Sequence, residues 1–249
     1  MDSTRLFELF RSDVADEAKP YLWKDIEVWE YMDSAYKAFV RLTGGIADFT
    51  SSITEVSATA NEPTSEVSKR ILRFMYAQRT SDNRPVEIIN STDIGRLGRS
   101  DYGSNRPFTL SDQVGPVVAM VIGMQRGIVR WVNVPEADDT IKLRVYRLPL
   151  NDITGDAQEF VDIDDQHHIY LLNAMKALAY RKQDAETFDR ARAEENEVVF
   201  ARYCALVKSE FEREKHKTRV VAYGGLGCLT QTSTLSSRAS AFSPKTLAS

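Results

Sequence analysis

The sequence predicts an α+β fold: N- and C-terminal helical hairpins form a helical bundle, an antiparallel β-domain is inserted between them, and an extended arm follows. Apolar residues recur every three to four positions near both ends of the chain, which is typical of amphipathic helices. In the middle, short runs of β-branched and aromatic residues alternate with Gly, Pro, Ser and Asn, which is typical of strands and turns. The expected boundaries are 1–48, 49–150, 151–217 and 218–249.

The first segment contains two predicted helices. A single apolar face predicts a helix over residues 3–15, and the apolar stripe between Val28 and Leu42 predicts a second. Asp25 is a suitable N-cap for the second helix, and Gly44 with Gly45 is a typical C-terminal stop signal. We therefore expect a helical hairpin here.

The middle segment contains six predicted strands. Short polar connections between neighbouring runs favour antiparallel pairing. A longer Gly/Ser-rich loop carries Arg96, Arg99 and Arg106, which could contact phosphates, although solvation is the commoner role of such a loop. No basic stripe interleaved with aromatics is visible, so single-strand nucleic-acid binding is not predicted. The strands are expected at Ser52–Thr59, Arg70–Gln78, Pro85–Ile89, Val117–Met124, Ile128–Asn133 and Thr140–Leu148.

A second helical hairpin is predicted after Pro149. Its first helix carries Ile169, Leu172 and Met175 on one face, and after a polar hinge a long helix extends from Phe188 to about Lys217. The first half of the long helix is almost entirely charged, and a solvated surface is the usual role of such a face. In a ring of identical subunits the same face would meet the next copy head to tail, where patterned charge fixes the register. The residues of this predicted inter-subunit face are Asp189, Arg190, Arg192, Glu194 and Glu195.

The last segment, 218–249, is too polar to form a core of its own. It cannot recover its ordering entropy alone, so we expect an extended arm that becomes ordered on a partner. The few apolar side chains of such an arm are its natural anchors. The anchors concerned are Tyr223, Leu226, Leu229, Leu235 and Phe242.

Composition excludes several classes of function. The chain carries 32 Lys and Arg against 36 Asp and Glu, a net charge of -4, so bulk attraction to nucleic acid is not indicated. Cys204 and Cys228 make neither a disulfide framework nor a metal site. No apolar run approaches the length of a membrane span, so no membrane partner is expected.

One histidine–carboxylate cluster, DIDDQHH, is the only candidate for chemistry. His167 and His168 point about 100 degrees apart on a helix, so they cannot easily share a metal ion. Asp164 and Asp165 at the positive end of a helix favour a structural helix start. We therefore expect no enzyme activity, no cofactor and no metal, with a small metal-dependent hydrolase built on Asp164, His167 and His168 as the alternative.

Four phrases, taken in order, resemble the head-to-tail adaptor (connector) proteins of tailed bacteriophages. They are PYLWKDIEVWEYMDSAYKAF at the start of the second helix, TIKLRVYRLPL in the last predicted strand, DDQHHIYLLNAMKALAY at the next helix, and RKQDAETFDRARA at the hinge. The likeness spans roughly residues 1–217, and the C-terminal segment matches only in kind.

The resemblance implies a structural virion protein that forms a ring, commonly of twelve copies, beneath the portal protein. Such a ring extends the DNA channel, lets DNA pass through its lumen without sequence-specific binding, and offers a platform for tail or nozzle proteins. The C-terminal arm would reach onto the portal, and the protein would be found at the head–tail junction of the virion after synthesis in the host cytoplasm. A tail-tube or collar ring that does not contact the portal is the alternative within the same class.

Overall fold

The computed structural model describes residues 1–94, 110, 112–155, 157–184 and 187–216. The chain divides into two compact units, Met1–Lys208 and Ser209–Ser249. The described helices are α1 (Ser3–Asp13), α2 (Asp25–Thr43), α3 (Asp165–His168), α4 (Leu171–Tyr180) and α5 (Arg190–His216). The described strands are β1 (Ile46–Asp48), β2 (Glu55–Ala58), β3 (Thr64–Glu66), β4 (Ile71–Arg79), β5 (Pro85–Asn90), β6 (Val114–Gly115), β7 (Ala119–Gln125), β8 (Ile128–Val132), β9 (Val134–Pro135) and β10 (Asp139–Arg147).

One large curled sheet of eight strands dominates the fold. Its order is β1–β10–β4–β5–β7–β8–β3, and β2 also pairs with β10. Neighbouring strands are antiparallel except β5 and β7, which run parallel. The curl brings β3 back towards β2, where the Ser65 hydroxyl donates to the main-chain oxygen of Ser57 at 2.6 Å. The sheet is therefore a half-barrel, and β6 and β9 form a separate short parallel pair.

The concave side of the half-barrel encloses a hydrophobic core. Along β10, Ile141, Leu143 and Val145 are fully buried, while the residues between them face the other side of the sheet. Trp131 of β8 is also fully buried, and its indole nitrogen donates to the hydroxyl of Ser65 at 2.8 Å. The alternating apolar side chains of β10 thus pack into a core to which all the long strands contribute.

The helices form a second core. The predicted apolar stripe of α2 is confirmed from Val28 to Phe39, which are buried with Met32 between them. The prediction was wrong for Leu42, which is 48% exposed because it lies in the last turn of the helix. The helix ends as predicted at Gly44, which adopts the left-handed conformation with φ of 105°. Its N-cap is Lys24 instead of the predicted Asp25, and Glu27 accepts a hydrogen bond from the main-chain nitrogen of Lys24 at 3.1 Å.

A buried charge network joins the two cores. Arg147, at the end of β10, donates to Asp48 at the end of β1 and to Asp162 at 2.8 Å, just before α3. Asp162 also accepts from the main-chain nitrogen of Leu150 at 3.3 Å. The hydroxyl of Tyr36 in α2 accepts from the main-chain nitrogen of Asp162 at 3.3 Å. Strand β10 is therefore tied to the helices through one arginine.

The predicted architecture, a helical bundle carrying an inserted antiparallel β-domain, is wrong. The fold is mixed α+β and is built on the large half-barrel. Each of the six predicted strand regions contains a strand, but β1 and β3, with three residues each, are too short to be visible as sequence patterns. The long connection between Asn90 and Ala119 also allows β5 and β7 to pair in parallel, which joins separate hairpins into one continuous sheet.

The segment after Pro149 also differs from its prediction. The expected single helix is divided into α3 and α4, with a break at Ile169 and Tyr170. Helix α5 begins at Arg190, close to the predicted Phe188. None of the described helices is long and apolar enough to cross a lipid bilayer.

Candidate interaction surfaces

The hinge before α5 is fixed by contacts with the start of α2. The indole nitrogen of Trp23, a buried side chain, donates to the main-chain oxygen of Ala179 at 3.1 Å. The ammonium group of Lys182 lies 2.9 Å from the carboxylate of Glu27. Burial alone would raise the pKa of Glu27, but the hydrogen bonds from Lys182 and from the Lys24 main chain outweigh it and lower that pKa. The direction in which α5 leaves the hinge is thus set by α2.

The predicted inter-subunit face of α5 is exposed to solvent, and most of its charges are already paired within the helix. Arg190 contacts Glu194 at 2.6 Å, and Arg192 contacts Asp189 at 3.3 Å. Glu195 has no ion-pair partner among the described residues. Such i,i+3 and i,i+4 pairs contribute only about 0.3–0.5 kcal/mol each in water, so they do not oppose a contact with another protein.

The other side of α5 explains why the charged face points outwards. Ala193, Phe200, Cys204 and Val207 are buried and recur at helical spacing. Burial raises the pKa of the Cys204 thiol to about 11, so this cysteine is an unreactive core residue. The amphipathic pattern therefore presents the charged residues between Asp189 and Glu195 away from the core.

The histidine cluster is a structural element. His167 and His168 are both buried; His167 Nδ1 lies 2.8 Å from the hydroxyl of Tyr203, and His168 Nε2 lies 3.1 Å from the main-chain oxygen of Ile163. Asp162 is bound by Arg147, and the side chain of Asp164 makes no cap hydrogen bond. In the part of the chain that the structure describes, no group of three His, Cys, Asp or Glu side chains can hold a metal ion.

The five predicted arm anchors, Tyr223, Leu226, Leu229, Leu235 and Phe242, lie outside the described residues, and so does the whole segment 218–249. The loop arginines Arg96, Arg99 and Arg106 also lie outside them.

The convex side of the half-barrel carries a surface that the sequence did not predict. On β10 the residues that face away from the core include Arg144 and Tyr146, and the register places Tyr76 of β4 opposite Arg144 and Arg73 opposite Tyr146. The guanidinium of Arg73 lies 4.8 Å from the centre of the Tyr146 ring, within the range of a cation–π contact. Phe49, which follows β1, lines a shallow cleft of about 600 Å³ with Tyr76 and Arg144.

A second cleft lies near the end of α2. It measures about 560 Å³, and its walls carry Arg41, Lys69 and Arg126 above an apolar floor that includes Leu72. Leu72 of this cleft and Tyr146 of β10 both lie beside Gly45, where an added Cβ would lie 3.0 Å from Tyr146 Cβ and 3.1 Å from Leu72 Cδ1. We call the combined area the arginine–aromatic surface; it consists of Arg41, Phe49, Lys69, Arg73, Tyr76, Arg126, Arg144 and Tyr146.

Sequence reasoning missed this surface because it is assembled across strands. The alternation Lys142, Arg144, Tyr146 is visible in β10, but its partners on β4 lie about seventy residues earlier in the chain. Irregularities in the β4–β10 register, between Arg144 and Val145 and between Tyr146 and Arg147, also change which β4 residues share the outer face. The alternation in β10 was the one available signal.

Comparison of the chain with models of known protein families gives no match, and comparison with curated proteins gives none either.

Proposed function

We propose that this chain is a structural virion protein, a head-to-tail adaptor that forms a ring beneath the portal and offers a platform for tail or nozzle proteins. The proposal rests on the four adaptor-like phrases, and their contacts in the fold support it. Trp23 and Glu27 of the first phrase contact Ala179 and Lys182 of the third and fourth. The first, third and fourth phrases are thus in contact in the fold, which supports the proposal.

The same contacts suggest how subunits would meet. They fix the hinge and turn the charged face of α5 outwards, so neighbouring copies would meet there in a heterologous contact that closes into a ring. The arm, 218–249, would reach the portal and become ordered only there, which makes assembly sequential. Most of the charges of the α5 face are paired within the helix, so the contact would define the register more than it adds affinity.

Native mass spectrometry on the full chain tests this proposal. We expect a monomer for the chain alone and a ring of many copies when the portal protein of the same virus is added, and we expect the ring to be lost when residues 218–249 are deleted. An armless chain that still forms the ring with the portal would contradict the role of the arm. No association with the portal in any mixture would favour the tail-tube or collar alternative.

A charge-reversal variant tests the subunit contact separately. Glu195→Lys changes the one carboxylate of the α5 face that has no partner among the described residues, so it should reduce ring formation without unfolding the chain. Glu62→Lys, an exposed residue near β3, is the matched control and should leave ring formation unchanged. Equal rings from the two variants would exclude α5 as the contact. One bound metal ion per chain in the same spectra would instead support the hydrolase alternative.

A further inference from the structure

The arginine–aromatic surface concentrates positive charge on an acidic protein. Its cations Arg41, Lys69, Arg73, Arg126 and Arg144 are all exposed. None of them lies within ion-pair distance of a carboxylate among the described residues. The whole chain has a net charge of -4, so this clustering of five unpaired cations runs against its overall balance.

A purely structural role does not account for these cations. Arginines that stabilise this half-barrel have acidic partners: Arg79 contacts Asp82 at 2.5 Å, and Arg130 contacts Asp112 at 2.6 Å. On the convex face itself, the neighbouring Lys142 is engaged by Glu55 at 3.6 Å. Unpaired cations around neighbouring clefts repel each other, so a surface of this kind is expected to have an anionic partner.

Acidic side chains in the linings of the two clefts do not neutralise these cations. The lining of the 560 Å³ cleft contains three cations and no Asp or Glu among the described residues. Asp48 lines the other cleft, but its carboxylate already accepts from Arg147 and from the hydroxyl of Ser51 at 2.5 Å. Among the described residues, the two linings together therefore carry more positive than negative charge.

The aromatic side chains of the surface indicate the chemistry of the partner. Phe49 is 50% exposed and Tyr76 is 40% exposed, and Arg144 lies opposite Tyr76 between the two strands. Exposed rings beside unpaired arginines match phosphates together with planar bases, because bases stack on aromatic rings and phosphates pair with guanidinium groups. An acidic protein segment would satisfy the cations but not the rings.

We propose that the arginine–aromatic surface binds the sugar–phosphate backbone of nucleic acid without reading its sequence, and that Phe49 and Tyr76 add base stacking when the strand is single. The inference goes beyond the ring proposal and does not depend on it, because it concerns the chain alone. Counterion release determines how strongly the affinity depends on salt. Five phosphate contacts give a slope of log affinity against log salt concentration of about -3.5 for a single strand and about -4.5 for a duplex.

Fluorescence anisotropy with the full chain and a labelled oligothymidine, or a labelled duplex, tests the proposal. Arg73→Gln with Arg144→Gln should weaken single-strand binding about 25-fold at 0.1 M salt and reduce the slope by about 1.4. Arg84→Gln with Arg202→Gln removes the same charge from exposed positions elsewhere and should have little effect. Equal affinities of the two double variants would overturn the proposal, because binding would then lie elsewhere on the chain.

Two further arms separate the sources of binding. Phe49→Ala and Tyr76→Ala should each weaken single-strand binding at least about fivefold and leave duplex binding unchanged, since duplex bases are not free to stack. A labelled poly-glutamate peptide serves as the acidic-protein probe. If it binds as tightly as the oligonucleotide and depends on the same arginines, the surface is a protein docking site and the proposal is wrong. Thermal unfolding of each variant checks that the half-barrel remains folded.

Discussion

Replacing Arg147 by methionine removes the cation that Asp48 and Asp162 share between the half-barrel and the helices. The side chain of Arg147 is 8% exposed and that of Asp48 is 5% exposed, so water cannot replace the lost partner. Removing one member of a buried pair costs about 3–5 kcal/mol. Asp48 keeps hydrogen bonds from Ser51 and from the main chain of Thr50, so we expect a loss of about 3 kcal/mol.

The pH dependence makes this prediction sharper. Burial alone would raise the pKa of Asp48, but hydrogen bonds from Ser51, Thr50 and Arg147 together hold it well below its ordinary value of 3.8. A carboxyl whose folded pKa is depressed stabilises the fold above its unfolded pKa, and this contribution is lost as pH falls through the folded pKa. In the Arg147→Met variant the ionised Asp48 contributes less stability, so less stability is lost at low pH. The difference in stability from the wild type should therefore stay constant between pH 7 and about pH 5, and it should narrow as the pH falls below 3.8, the ordinary pKa of the carboxyl.

Urea unfolding followed by tryptophan fluorescence measures the difference, and Lys142→Met is the control on the same strand. Lys142 lies 3.6 Å from Glu55, both side chains are about half exposed, and this replacement should cost less than about 1 kcal/mol. The double variant Arg147→Met with Asp48→Asn should cost less than the sum of its single changes. A loss below about 1 kcal/mol for Arg147→Met, or a loss that stays constant with pH, would refute this account of the junction.

Three further predictions concern single positions. Gly45→Ala should destabilise the fold by about 1–3 kcal/mol, because Gly45 has φ of 90° and lacks room for a Cβ. At Gly44 an added Cβ meets open space, so Gly44→Ala should cost only the backbone strain of about 1 kcal/mol. Urea unfolding compares the two variants. Trp23→Phe should cost about 2 kcal/mol in the same assay, since a buried carbonyl loses its donor and a smaller ring leaves a cavity; a change below about 0.5 kcal/mol would contradict this. In a Cys228→Ser variant, Cys204 should resist a thiol reagent at pH 8 until urea unfolds the chain, because burial raises its pKa to about 11; rapid labelling of the folded variant would contradict its burial.

Much of the local structure could be predicted from the sequence, because it depends on neighbouring residues. The stripe of α2 and its glycine stop are encoded within about twenty positions, and the alternation in β10 is encoded within nine. The charged face of α5 was predicted for the same reason, since Ala193 and Phe200 define the opposite, buried side. Periodicity identified these elements without any knowledge of their partners.

The arrangement of the elements could not be predicted in the same way. The parallel pairing of Glu87 with Ala119 depends on a long connection whose course no local pattern specifies. The three residues Ile46–Asp48 gain their strand character only from pairing with Tyr146 and its neighbours. The arginine–aromatic surface required that register too, so it became visible only when β4 and β10 lay side by side.

The central place of β10 has a consequence for how the protein is made. This strand pairs with β1, β2 and β4, and it is the last of the described strands to leave the ribosome. Until residues 139–147 emerge, the backbone groups of β1, β2 and β4 that pair with β10 have no hydrogen-bond partner. Unpaired strand edges of this kind favour aggregation and slow folding. We expect the half-barrel to form late in synthesis and in one step, and any translational pause upstream of residue 139 to prolong the interval in which chaperones must protect it.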